Sequence, residues 1–348
     1  MMERSHYATV VFFILFAAVW FYLRRHKPHV YLTERSAAPE PLPLNLGFID
    51  HCKALISWVF LFMRVFSVRP GLYETARLED GRSGAEVPVL VTCNNLLSIF
   101  LLARRVMPRK VRFLVLDTGG INVWCSAGKG RFSAQEIMDK ARRTGLLEEG
   151  KKVKLILPKF SLSGVRIADL KKGGIHGIIG PLYASDVPSY LDEGKFEDRI
   201  DDRVRFGLKA RTFTALPTAV QFLFYFLGVH VLLLGYRSAW IVWSAVLMAF
   251  FYPILLPYLP GKQFATKGIS MGSAASVIAA VYFFAEKAEA SSLLPVALFL
   301  FATSIFIALS YTGNSAISNY SKVRKEIARF LPAVIVLYLL AIASAILL

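Results

Sequence analysis

The 348-residue sequence holds only three cysteines, Cys52, Cys93 and Cys125. They form no CxxC pair and no zinc-like spacing, so neither a disulfide framework nor a protein-built metal cage is indicated. No cysteine set able to hold an iron-sulfur cluster is present, and metal chemistry must arrive with a cofactor. Acidic residues are also scarce, with 24 Asp and Glu against 41 Lys and Arg, a formal charge of +17. That surplus suits anionic lipid, a phosphate-bearing ligand, an acidic protein or nucleic acid, and does not choose among them. Gly128-Lys129 invites comparison with a nucleotide-binding loop, but Val123 stands where that pattern needs its first glycine and Gly130 where it needs Ser or Thr. No internal repeat stands out.

What the chain has in excess is apolar sequence: 55% of residues are hydrophobic and mean hydropathy is positive, which points to a membrane protein. Residues 7–23 form a first apolar run closed by Arg24-Arg25-His26-Lys27, read as a retained anchor with its C-terminal end in the cytoplasm rather than a cleaved signal peptide. Further runs at 213–235, 239–258, 269–285, 292–310 and 330–348 are each near the length of a membrane helix, giving five more spans. Basic connections around Lys262 and Lys267 and from Lys322 to Arg329 alternate with weakly charged ones. The basic ones are therefore expected on the cytoplasmic side of an inner membrane, together with the polar middle of the chain. The apolar stretch 54–66 is too short to span and reads as a buried or interfacial helix, and the Pro-rich stretch 38–43 as an extended linker. The expected organisation is an anchor at 1–27, linker and interfacial helix at 28–69, an α/β domain at 70–211 and a five-helix transmembrane domain at 212–348.

Four short β-branched runs, 87–92, 111–116, 153–157 and 177–179, alternate with segments suited to helices, notably 96–106 and 133–147. This alternation predicts a parallel sheet with helices on its faces, a Rossmann-like α/β domain. Ligands of such sheets bind beyond the carboxyl ends of the strands, where Thr92, Cys93, Asn94, Asp117, Thr118, Pro158, Lys159, Gly180 and Pro181 stand. Ser133 and Glu136 have capping-box spacing, with Gly145 near the helix end. The loop before them carries Trp124 and Cys125. Lys129 nearby would favour a thiolate at Cys125, but no His is close in sequence to act as base, so a reactive thiol and a buried structural cysteine both remain open.

The run Asn122-Val123-Trp124-Cys125-Ser126-Ala127-Gly128-Lys129-Gly130 resembles the signature N-V-W-C-A-A-G-K-G of the mercury-methylating corrinoid proteins, the HgcA family. The soluble domain of that family is similar to the corrinoid iron-sulfur protein of acetyl-CoA synthesis. Arg69-Pro70-Gly71-Leu72-Tyr73, Leu114-Val115-Leu116-Asp117-Thr118, Ile156-Leu157-Pro158 and Leu256-Pro257-Tyr258-Leu259-Pro260-Gly261-Lys262 also look like family blocks. The resemblance implies a cobalamin or related corrinoid whose cobalt takes Cys125 as lower axial ligand. It implies cofactor contacts from Asn122, Val123, Trp124, Ala127, Gly128, Lys129 and Gly130. By position at strand ends, Thr92, Asn94, Asp117, Thr118, Pro158, Gly180 and Pro181 join them. A thiolate ligand would favour methyl transfer to a soft acceptor such as Hg(II). The partners implied are membrane lipid, a small ferredoxin with two 4Fe-4S clusters as reductant (the HgcB kind), and a methyl-donating protein or methyltetrahydrofolate pathway; nucleic acid is not among them.

The sequence departs from the family at Asn95-Leu96, Ser126, Arg131 and Lys159-Phe160-Ser161. A relative that methylates another acceptor is therefore a second expectation. A membrane carrier or scaffold without corrinoid is a third, although no charged residue lies where a mid-span relay would need one.

Overall fold

The computed structural model of the protein describes residues 39–75, 87–193, 204, 206–233, 239–287, 289, 292–313, 315, 317 and 320–347. The expected anchor at 1–27 lies outside the described residues. The chain divides at Val204 into two compact units.

The first unit runs, in chain order, through β1 (Glu40–Pro41), α1 (Phe48–Val59), β2 (Gly71–Glu74), β3 (Val89–Cys93), α2 (Leu96–Val106), β4 (Arg112–Leu116), α3 (Val123–Gly128), α4 (Ala134–Arg143), β5 (Val153–Leu157), α5 (Ile167–Lys172), β6 (Ile175–Ile179) and α6 (Val187–Glu193). Short 3-10 turns occupy Leu61–Met63, Lys159–Ser163 and Ala184–Asp186. The six strands form one sheet in the order β1-β2-β4-β3-β5-β6. The four runs read from sequence are β3 to β6, and they pair in parallel.

The sheet as a whole is mixed, because β2 joins β4 antiparallel with Gly71 opposite Val115. At its edge, β1 pairs with β2. The Pro-rich stretch is thus not a plain linker. Leu42 and Leu44 are buried, and the Leu42 amide donates to Glu74 O at 2.9 Å. Pro41, which has no amide to offer, is tolerated because the strand lies on the sheet edge.

Side chains alternate across the sheet as the period of two requires. Leu90, Phe113, Val115 and Ile156 pack with α2 in one core. Val89, Val91, Leu114, Leu116, Leu155 and Leu157 pack with Ile137 and Ala141 of α4 and Leu170 of α5 in the other. Helix α2 starts on Asn95, whose side chain accepts from the Ser98 amide at 3.0 Å. Helix α4 starts on Ser133, which accepts from the Glu136 amide at 3.3 Å. The reciprocal half of the expected capping box is replaced: the Glu136 carboxylate reaches the Asp117 amide at 3.4 Å, tying the helix start to the end of β4. The helix expected over 54–66 begins earlier, at Phe48, and ends at Val59. Its Asp50 accepts the amides of Asn45 at 2.8 Å and Leu46 at 3.1 Å, which fixes the turn ahead of it.

The second unit contains helices α7 (Leu208–Leu233), α8 (Ala239–Leu255), α9 (Phe264–Ala285), α10 (Leu293–Tyr311) and α11 (Tyr320–Leu347). Among the described residues three stretches are long and apolar enough to cross a membrane, Phe264–Ala285, Leu293–Tyr311 and Ser321–Leu347, and Val242–Leu255 is a shorter apolar one. Helices α9 and α10 approach closely at Gly268 and Gly272, where a Cβ would lie 2.9 Å from Ser304 O and 3.0 Å from Phe301 Cα respectively. This is the small-xxx-small seam that lets membrane helices bring their backbones together. Side chains satisfy backbone groups at two of the helix ends. Lys267 Nζ donates to Leu256 O at 2.6 Å and Leu259 O at 2.9 Å, just past the end of α8. Glu326 accepts from the Ala265 amide at the start of α9, leaving fewer orphan backbone groups where the helices meet.

Candidate functional site

From β3 the chain moves outward to β4 and then crosses back past β3 to β5. The strand order therefore reverses between β3 and β5, and in open α/β sheets the crevice outside the carboxyl ends at such a reversal is the ligand position. The six-residue helix α3 sits there, packed against β3 and against the 3-10 turn Lys159–Ser163 that follows β5.

A helix this short has almost no intrinsic stability, so neighbouring groups hold it. Asn122 Oδ1 accepts from the Cys125 amide at 3.1 Å. Ser126 Oγ donates to Val123 O at 2.9 Å, and Ser126 O in turn accepts the amides of Arg131 at 2.9 Å and Phe132 at 3.2 Å. Ala127 is clamped by Gly164, where a Cβ would lie 2.5 Å from Ala127 O and 2.6 Å from Phe132 O. The face made by Val123, Ser126 and Ala127 turns into the core below the sheet end. Trp124, Cys125 and Gly128 share the other face and are half-buried, and Lys129 and Gly130 lie exposed at its rim. Gly128 adds no side chain beside Cys125 and Trp124 on this face.

Burial pushes the Cys125 thiol above its ordinary pKa of 9.0, although the nearby charges of Lys129 and Arg64 pull it down in part. Arg64 follows the turn Leu61–Met63 in a left-handed conformation, φ 54°. Sequence spacing gave no sign of its proximity to Cys125, because a turn and the whole of β3 and β4 intervene. Cys93 at the end of β3 is fully buried, and burial raises its thiol too.

The other expected site residues fall into two groups. Asn94, Thr118 and Thr92 are buried, and the polar groups of the first two are engaged in bracing the loops. Asn94 Oδ1 accepts from the amides of Thr118 at 3.1 Å and Gly120 at 2.9 Å and from Thr118 Oγ1 at 2.7 Å, and its Nδ2 donates to Asp117 Oδ1 at 3.3 Å. Asn95, outside the expected set, completes the brace by donating to Gly120 O at 3.0 Å. Gly180 and Pro181 are buried at the end of β6, with the Gly180 amide on Leu157 O at 2.8 Å. Pro158 is half-buried at the start of the turn that supports α3. The structure thus gathers the four strand ends, places Cys125 and Trp124 on the outward side, and turns Asn94 and Thr118 inward. Two further residues belong to the site. Arg131 folds back so closely over Gly119 that a Cβ there would collide with its guanidinium, and Ser161, in the turn beneath α3, has a fully buried hydroxyl with no hydrogen-bond partner among the described residues.

Among the described residues no group of three His, Cys, Asp or Glu stands close enough to hold a metal ion. A single thiol at the switch point fits a metal that brings its other ligands with it, such as one held in a macrocycle by ring nitrogens. No protein-family model matches the chain, and no curated protein matches it either.

Proposed function

We propose that the α/β unit binds a corrinoid on the outward face of α3 and that the chain is a membrane-bound corrinoid-dependent methyltransferase of the HgcA kind. The observation that carries this reading is the placement of Cys125, half-buried and outward on a braced six-residue helix at the strand-order reversal. The resemblance of residues 122–130 to the family signature supports it.

When bound, the corrinoid supplies methyl-transfer chemistry at cobalt toward a soft electrophile such as Hg(II). Cys125 would hold the cobalt through its sulfur, as a thiolate once its thiol proton is lost. Lys129 and Arg64 place positive charge near that sulfur, which limits the cost of ionising it. Trp124 offers a flat apolar edge beside it, and Gly128 keeps the surface clear. Asn122, through the Cys125 amide, and Gly164, through Ala127, fix the height of the sulfur above the sheet. Ser161 provides an unused hydroxyl beneath the helix. A reductant has to come from another protein, for which a small ferredoxin with two 4Fe-4S clusters fits the basic character of the chain. A methyl-donating protein is the other partner required, and the cytoplasmic side of the inner membrane is the location this reading implies.

The test is the visible absorption spectrum of the full-length protein reconstituted with methylcobalamin, wild type beside Cys125→Ala. A thiolate-ligated cobalt spectrum that is lost in the variant supports the assignment, and methyl transfer to Hg(II) with a reduced ferredoxin then decides the acceptor. If neither protein retains corrinoid, the reading is wrong.

A further inference from the structure

Helix α1 is turned inside out for a helix on a water-facing domain. Phe48, Ile49, Cys52, Leu55, Ile56 and Val59 fall on one side of a 3.6-residue period. Of these, Phe48 is 83%, Ile49 67% and Leu55 56% exposed. The opposite side, the one that enters the domain beside α2, consists of Asp50, Ala54 and Ser57, all buried. Water selects the reverse arrangement. The inversion is built in rather than accidental, because Asp50 is used inward as the acceptor for two loop amides. Apolar residues continue past the helix in the half-exposed Leu61, Phe62 and Met63.

We propose that α1 lies in the boundary between headgroups and acyl chains of the bilayer, apolar side down, with the exposed cations Lys53 and Arg69 against anionic lipid headgroups. Three observations favour lipid as the occupant. At 12 residues the helix is far too short to cross a bilayer but suits lying in its surface. Only the fourteen residues 194–207 separate the end of α6 from the start of α7, so the unit that carries α1 is tethered to the one that holds the three helices of membrane-crossing length, which keeps membrane surface at high effective concentration. Lys53 flanks the apolar side and Arg69 follows the apolar turn, both exposed, and each cation near an anionic surface adds to the attraction. This inference does not depend on the corrinoid reading.

The experiment uses the full-length protein carrying Cys52→Ala and Cys125→Ala, with Cys93 left in place because it is buried. A bimane label is attached at Ile49→Cys, at Leu55→Cys, or at Lys171→Cys on the exposed surface of α5 as control. Each protein is reconstituted into phosphatidylcholine/phosphatidylglycerol vesicles with or without bromine on the acyl chains. Brominated lipid is expected to quench the labels at 49 and 55 at least about threefold more than the label at 171, with aqueous iodide showing the opposite order. Iodide quenching at 49 and 55 equal to that at 171 places α1 in water and overturns the proposal. Protection from both quenchers means that protein covers the face, either this chain's membrane helices or a second copy, and overturns it equally.

Discussion

At Cys125 the balance of burial against two cations decides what the sulfur is before any metal reaches it. Burial wins, and the thiol stays protonated through the neutral range. Alkylation of Cys125 by iodoacetamide, followed by mass spectrometry in a Cys52→Ser background, should accelerate tenfold per pH unit from 7 to beyond 9, while the buried Cys93 stays unmodified. A rate that levels off below pH 8 would mean that Lys129 and Arg64 outweigh burial.

Gly164 sets the other residue-scale constraint. Its missing Cβ is the space taken by the backbone of Ala127 and Phe132, and backbone cannot swing aside as a flexible side chain can. Gly164→Ala should cost about 1–3 kcal/mol of stability and displace α3. Corrinoid retention in the reconstitution assay would fall together with thermal stability, and a variant with unchanged melting and full retention would show that α3 is held elsewhere.

Among the elements, β2 contributes more than its four residues suggest. Glu74 meets Arg112 at 3.0 Å and Lys110 at 3.2 Å, joining β2 to β4 and to the segment that leads into it. Burial alone would raise the Glu74 carboxyl, but the hydrogen bonds from Arg112 and Lys110 more than offset it and hold the pKa below its ordinary 4.5. A depressed folded-state pKa adds stability that is present above the unfolded value and is lost as pH falls through the folded one. Wild type should therefore lose stability below pH 4.5 more steeply than Glu74→Gln, as urea unfolding at pH 3 to 6 would reveal. Parallel curves for the two proteins would show that the pair contributes nothing.

Strand β2 is also an element that the sequence reading missed, and the reason is physical. Four residues, Gly71 to Glu74, are too few for an alternation to emerge, and they become a strand only because β4 is there to pair with. Helix α2, by contrast, was legible to the residue at Leu96–Val106, since Asn95 and the apolar period mark its start and run. Helix α1 was misplaced by six residues because hydropathy registers the run of apolar residues and not the turn made by Asp50. At the candidate site, the order of Cys125 and its glycines along the chain marked the segment that the structure places at the strand-order reversal. The inward use of Asn94 and Thr118 and the approach of Arg64 were not, since they depend on loops that meet only after the sheet has formed.

For the whole molecule, the relevant fact is that the apolar residues collect in separate cores. Among the described residues, two flank the sheet of the first unit and two belong to the helices of the second, where the partly buried Phe306 and Tyr338 pack against both. In the second unit Gly268→Ile would drive a branched side chain into Ala308, Ser304 and the Ile305 backbone. It should lower the melting temperature of that unit in detergent by about 5 °C or more, read by far-ultraviolet circular dichroism of its helices. An unchanged transition would mean that α9 and α10 part without cost. The separate cores have a consequence for how durability is to be defined. Cooperativity follows shared packing, so calorimetry of the full chain should resolve two events, one for each unit, and a single event would show that the units unfold together. Gly164→Ala and Gly268→Ile would each move one event and leave the other in place.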